Sequence, residues 1–222
     1  MQKLTITSTQ RLFFREHGYI AFDNILSLTR IHQLRSSLQQ TLAHRLGISQ
    51  EGFSNVPIHN LYAQGYDCWR EEKEAEQLFR NKTLLAIASE LFNAPLLRIG
   101  FDQLLVTNGL LDTPFKQNLA ITDLSCIKPL AGGILIALKT RNSPTPLPTT
   151  EGHLLFISHD VPLPWPQFFA TRNSELFLLA FAKETPLYHL EKRDPHHLIP
   201  RKWGYEYGDV LEAATHPVLW RR

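Results

Sequence analysis

Residues 14–27, FREHGYIAFDNILS, set the direction of the whole reading. The stretch contains one helix end, one short strand and one helix start. Gly18 is a helix-stopping residue after a polar, helix-compatible run, so residues 7–17 are read as a short helix capped by Ser8 or Thr9. Tyr19, Ile20, Ala21 and Phe22 follow as a short strand, because aromatic and β-branched side chains suit a half-buried pleated surface. Ser27 then opens a second helix. In that helix Leu28, Ile31, Leu34, Leu38, Leu42 and Leu46 recur at steps of three and four, making one apolar stripe that ends at Gly47.

Working outward, residues 47–69 read as irregular around Gly52, Pro57 and Gly65. Residues 70–80 regain helical composition, and Asn81 caps a helix carrying Leu84, Leu85, Ile87, Ala88, Leu91 and Phe92 up to Asn93 and Pro95. Beyond Pro95 the pattern changes to short apolar runs separated by turn residues, over 96–99, 103–107, 134–139, 153–158 and 176–182. Residues 141–150 carry three prolines and several hydroxyl side chains and read as a surface loop. Helices first and strands later predict an α+β single domain over 1–222, mainly helical over 1–95 and mainly β over 96–222.

Composition narrows the function classes. The chain has 222 residues, is 43% hydrophobic and 20% charged, and carries a formal charge of +2, which fits a globular protein and demands no polyanionic partner. No basic run or helix-turn-helix pattern argues for nucleic-acid binding. No apolar stretch approaches the roughly 18 residues of a membrane span, and the first residues lack a leader's apolar core. The two cysteines, Cys68 and Cys126, suit partly buried thiols in a reducing compartment, so cytoplasm is the expected location. Phosphate-loop, dinucleotide, nucleophile-elbow and His-Glu-x-x-His motifs are absent from the sequence.

The order of several patches resembles the phytanoyl-CoA hydroxylase-like branch of the Fe(II)/2-oxoglutarate oxygenases. The opening Phe14 to Ser27 is similar to that family's Phe-x-x-x-Gly-Tyr helix end, strand and Asn-x-Leu-Ser helix start. Pro95 to Ile99 and Asp102 to Leu105 look like its lead-in to the core strands. Glu151 to His159 is similar to its Gly-x-Leu-x-x-x-x-Gly-Ser-His strand and turn, and Gly208-Asp209-Val210-Leu211 followed by His216 looks like the strand that leads to the distal metal histidine. The resemblance covers nearly the whole chain. It implies a double-stranded β-helix (jelly-roll, cupin-like) core packed by N-terminal helices, with Fe(II) and 2-oxoglutarate as cofactors in active members.

That chemistry requires two histidines and a carboxylate on one face of the metal. The first two ligands come as His-x-Asp or His-x-Glu, since alternate strand residues point to one side. At the corresponding place this chain has Ile121-Thr122-Asp123, so a carboxylate stands where the family has one and an isoleucine where it has histidine. The resemblance therefore implies Asp123 and His216 as metal candidates, with the triad incomplete. His189-Leu190-Glu191 is the chain's His-x-carboxylate pattern, but it falls after the Ser158-His159 turn and reads as a loop. His196 and His197 follow Asp194-Pro195 and read as surface turn residues. Arg221 and Arg222, roughly 16–20 Å of extended chain beyond His216, are the candidates for clamping 2-oxoglutarate, since a guanidinium fork pairs bidentately with carboxylate. Trp165, Trp203, Tyr205 and Tyr207 read as packing around a sheet edge.

Three functions follow. The first is an oxygenase-like domain without the standard triad, binding a small molecule or a protein and needing no firm cofactor. The second is a working dioxygenase acting on a small organic substrate, completed by a displaced His153, His159 or His189. The third is an iron-responsive or nucleic-acid-binding regulator.

Overall fold

A computed structural model describes residues 6–109, 113–140 and 142–222. Residues 1–5 of the opening segment and Arg141 of the proline-rich loop lie outside the described residues. Helix α1 (Ser8–His17) is capped by Thr7, one residue before the expected cap. Its hydroxyl accepts from the Gln10 N–H while the Gln10 side chain accepts from the Thr7 N–H, a reciprocal box that fixes the first turn. Gly18 closes the helix in the left-handed region at φ 73°, and a Cβ there would lie 2.2 Å from Val161 Cγ2, so both backbone and space demand glycine. Strand β1 (Tyr19–Phe22) and helix α2 (Leu28–Leu46, capped by Ser27) follow as the sequence implies.

The α2 stripe is buried at its centre and not at its ends. Ile31, Leu34, Leu38 and Leu42 are at most 1% exposed, whereas Leu28 is 56% exposed. A second device fastens α2 to the sheet. Arg35 donates through Nε and Nη2 to the two carboxylate oxygens of Glu175, both at 2.8 Å, and Gln39 Nε2 adds bonds at 3.1 Å.

The stretch expected to be irregular contains a 3-10 turn over Gln50–Asn55, helix α3 (Ile58–Gln64) and a second 3-10 turn over Cys68–Arg70. Seven-residue α3 has no side-chain cap and too few residues for a periodic pattern to show; tertiary contact sustains it. At its C-terminal end, the Gly65 carbonyl accepts from the Leu104 N–H at 2.7 Å, and a Cβ on Gly65 would lie 2.4 Å from the Leu104 carbonyl oxygen. Helices α4 (Lys73–Phe79) and α5 (Lys82–Leu91, capped by Asn81) complete the first part.

The sheet is built from β1, β2 (Leu96–Asn108), β3 (Ile127–Lys139), β4 (Leu154–Ser158), β5 (Arg172–Tyr188) and β6 (Val218–Arg221), with short helix α6 (Trp165–Phe169) between β4 and β5. Its order is β1-β4-β3-β5-β2-β6, and all paired neighbours run antiparallel. The apolar runs 96–99 and 103–107 are one strand, because Gly100 interrupts the pattern without breaking the pairing. A Cβ at Gly100 would sit 2.9 Å from the Ala180 carbonyl oxygen. Register shifts near Ile99, Val106, Leu130 and Ala137 bend the long strands, and such bulges curl a sheet toward a roll. The architecture is α+β and cupin-like, with the helices packed on the curled antiparallel sheet. Cys68 and Cys126 are fully buried rather than partly so.

Candidate functional site

Asp123 stands on a 3-10 turn (Ile121–Leu124) just before β3. One carboxylate oxygen accepts from the Ala120 N–H at 3.1 Å, closing the turn, and the other accepts from Arg193 Nη2 at 2.8 Å. Arg193 also donates to Glu191 at 3.0 Å, and Lys128 Nζ reaches Glu191 at 2.9 Å, so the four side chains form one network. Partial burial pushes the Glu191 carboxyl upward, but the hydrogen bonds from Arg193 and Lys128 outweigh it and hold the group at about 2. Two residues before Asp123, Ile121 is fully buried, with its Cδ1 3.2 Å from where a Cβ on Gly133 would sit. The position expected for a first metal histidine is thus part of the apolar core.

His216 lies in different surroundings. It is 0% exposed, its Nδ1 is 3.0 Å from Thr215 Oγ1, and its Nε2 is buried with no hydrogen-bond partner. Trp203 meets the imidazole edge-on at 5.9 Å between centroids. Arg98 Nε donates to the His216 carbonyl at 2.8 Å. Burial, then the charges of Arg70 and Arg98, push the His216 imidazole down to about 3, so it is neutral at pH 7. Arg70 is stacked between two indoles, 4.4 Å from the Trp69 centroid and 4.2 Å from that of Trp203, and donates to the Thr215 carbonyl at 2.9 Å. The stacked arginine ties the last loop to the helical part.

Arg221 pairs with Leu96 across the sheet edge, and the Arg222 N–H donates to the Pro95 carbonyl at 2.8 Å. Both are exposed, and Arg222 lines a cleft of about 700 Å³ with Arg11, Arg15 and Ser158. Asp123, His216, Arg221 and Arg222 share no hydrogen-bond partner among the described residues. Of the histidines expected as substitutes, His153 pairs with Asp23 at 3.2 Å, exposed His189 bonds the Leu190 carbonyl at 3.1 Å, and His159 gives its carbonyl to the Thr122 N–H at 3.1 Å. No group of three or more His, Cys, Asp or Glu side chains that could hold a metal forms among the described residues.

A buried polar centre that the sequence did not reveal lies where α3, β2 and the segment after β5 meet. Asp194 is 0% exposed and accepts from the Cys126 and His196 N–H groups, each at 2.7 Å. His196, read as a surface turn residue, is only 6% exposed. Its ring stacks on Tyr66 at 4.0 Å and on Tyr62 at 5.6 Å, and Nε2 lies 3.2 Å from the Ala63 carbonyl oxygen. Tyr66 stacks in turn on Phe101 of β2, and Tyr62 meets Phe115 and Phe169 edge-on. Burial, reinforced by Asp194, pushes the Cys126 thiol far up, which makes it unreactive. Asp102, also 0% exposed, accepts from the Cys68 and Trp69 N–H groups at 2.8 Å. Burial and then the charge of Asp67 raise its carboxyl to about 8, against the pull of those two bonds and Arg45. The expected aromatic group divides: Trp165 packs near Phe115, Trp203 on Arg70, and Tyr207 on Tyr188.

No protein-family model and no curated protein matches the sequence. Solved structures do match. The 2-oxoglutarate-dependent carbocyclase SnoK from nogalamycin biosynthesis superposes with TM-score 0.69 at 18% identity, over 96% of each chain. EctD from S. alaskensis, solved with 2-oxoglutarate and 5-hydroxyectoine, gives 0.57 at 12% identity over 89% of this chain and 85% of its own. CT296 from Chlamydia trachomatis gives 0.51 at 14% identity, over 83% of this chain and 99% of its own. At these identities the likeness is one of fold. The chain has the cupin-like fold that SnoK and EctD use, and no helix of the described residues is long and apolar enough to cross a membrane.

Proposed function

We propose that this protein is a divergent relative of the phytanoyl-CoA hydroxylase-like oxygenases that acts by binding a small molecule or a protein, without the standard Fe(II)/2-oxoglutarate chemistry. The observation that carries the reading is the state of Asp123. Its two oxygens are engaged by Arg193 and the Ala120 N–H, and the neighbouring histidine position is the buried Ile121. A facial triad needs an unengaged carboxylate and two imidazoles aimed at one point. Among the described residues the donor set does not fit that ion. The buried His216 Nε2 has no hydrogen-bond partner, but two arginine charges bear on the ring, which disfavours a cation.

The family branch rests on the order of the sequence patches, Phe14 to Ser27 above all, together with the shared fold. The test is anaerobic titration of metal-free protein with Fe(II), with and without 2-oxoglutarate, followed by its visible charge-transfer absorption and by 2-oxoglutarate consumption in air. The expected result is neither a saturable band nor Fe(II)-dependent turnover. A saturable band with turnover would overturn the reading in favour of a dioxygenase completed by a displaced histidine.

A further inference from the structure

The helices α2 and α5 begin on the wall of one cleft of about 620 Å³. Its charged lining is of one sign: Arg30, Arg80 and Lys82 face it, and no Asp or Glu does. Arg80 Nε donates to Glu76 at 2.9 Å, outside the cleft. The Arg30 and Lys82 side chains make no hydrogen bond or ion pair among the described residues. Like charges gathered round one hollow repel each other, and an anion placed among them relieves that repulsion.

Neutral polar groups complete the lining. Gln77, Ser27 and Asn81 share the wall. Ser27 caps the Arg30 N–H at 3.3 Å, and Asn81 caps the Thr83 and Leu84 N–H groups at 3.0 and 3.2 Å. Neither helix has an acidic residue in its first turn, so the positive ends of both helix dipoles add to the side-chain charge and are not offset by it. The Arg30 guanidinium and the Lys82 ammonium, arriving from different helices, can pair with several acceptor oxygens of one tetrahedral anion. Ile25 and Leu26 give the same wall an apolar part, and the volume exceeds what one inorganic ion needs.

We propose that this cleft binds a phosphoryl group, carried on a small phosphomonoester or present as free phosphate. The site stands apart from Asp123 and His216 and is independent of the iron question. The test is titration of the full chain in 0.1 M sodium chloride with glycerol 3-phosphate and, separately, with inorganic phosphate, followed by amide chemical shifts. Saturable shifts at residues 27–30 and 81–84, with affinity falling at least tenfold in an Arg30→Gln/Lys82→Gln double variant, are expected. Tighter binding of the ester assigns the site to a carried phosphoryl group, and equal binding assigns it to the free ion. No saturable shift at these amides with either probe, or unchanged affinity in the folded double variant, would overturn the proposal.

Discussion

His196 and His216 are both buried, yet their surroundings treat them in opposite ways. His196 is stacked on two tyrosines, with a buried carboxylate, Asp194, 3.5 Å from its Nδ1 and a carbonyl oxygen at its Nε2. His216 has two arginine charges bearing on it and no partner for Nε2. The first belongs to a centre whose polar groups are matched; the second is held neutral with one nitrogen left over. The difference teaches that burial alone does not make a histidine a ligand. What matters is the sign of the charge around it and whether a carboxylate faces the same point.

The largest expected break in this comparison is Asp194→Ala. It leaves the buried Cys126 and His196 N–H groups without acceptors, and should cost about 3 kcal/mol or more in urea unfolding. His216→Phe removes the unmatched nitrogen along with its bond to Thr215, and should stay within about 1 kcal/mol of the parent in the same assay. If the two variants cost the same, the contrast between the sites fails.

The pH profile sharpens the same contrast. His216 has its folded pKa lowered to about 3, so the unfolded chain binds its proton first and stability is lost as pH falls from 6.5 toward 3. Asp102 has its folded pKa raised to about 8, so the folded state holds its proton longer. Its contribution is present below the ordinary carboxylate pKa of 3.8 and is lost as pH rises toward 8. The two slopes oppose each other between about pH 4 and 6.5. Asp102 acts alone from pH 6.5 to 8, where stability should fall by up to about 2 kcal/mol. Chemical denaturation across that range should show the fall in the parent and in His216→Gln, and a flat line in Asp102→Asn.

Arg70→Ala should cost about 1–2 kcal/mol, because the guanidinium loses two indole faces and the Thr215 carbonyl. The smallest effect belongs to Arg193→Ala. Its pair with Asp123 is partly exposed, with the arginine side chain 47% accessible, so less than about 1 kcal/mol is expected in stability. Freeing Asp123 in this way should still give no Fe(II)-dependent absorption, because Ile121 supplies no nitrogen. A new band in that variant would show that the arginine alone had blocked a metal site.

The sequence by itself determined the local elements: the Gly18 stop, the β1 strand, the Ser27 and Asn81 caps and the α2 stripe each depend on residues within a few positions of one another. The order of helices before strands was legible in the same way. Helix α3 and the joining of two apolar runs into β2 were not legible, since Gly65 and Gly100 matter through backbones that approach from elsewhere in the chain. The buried Asp194 and His196 were hidden for the same reason. Asp-Pro-His is an ordinary turn sequence until Cys126, Tyr62 and Tyr66 close over it. Only the tertiary structure decided which charges face which histidine, because electrostatic surroundings come from residues far apart in sequence, and it was the fold that engaged Asp123 with Arg193 and left His216 among arginines.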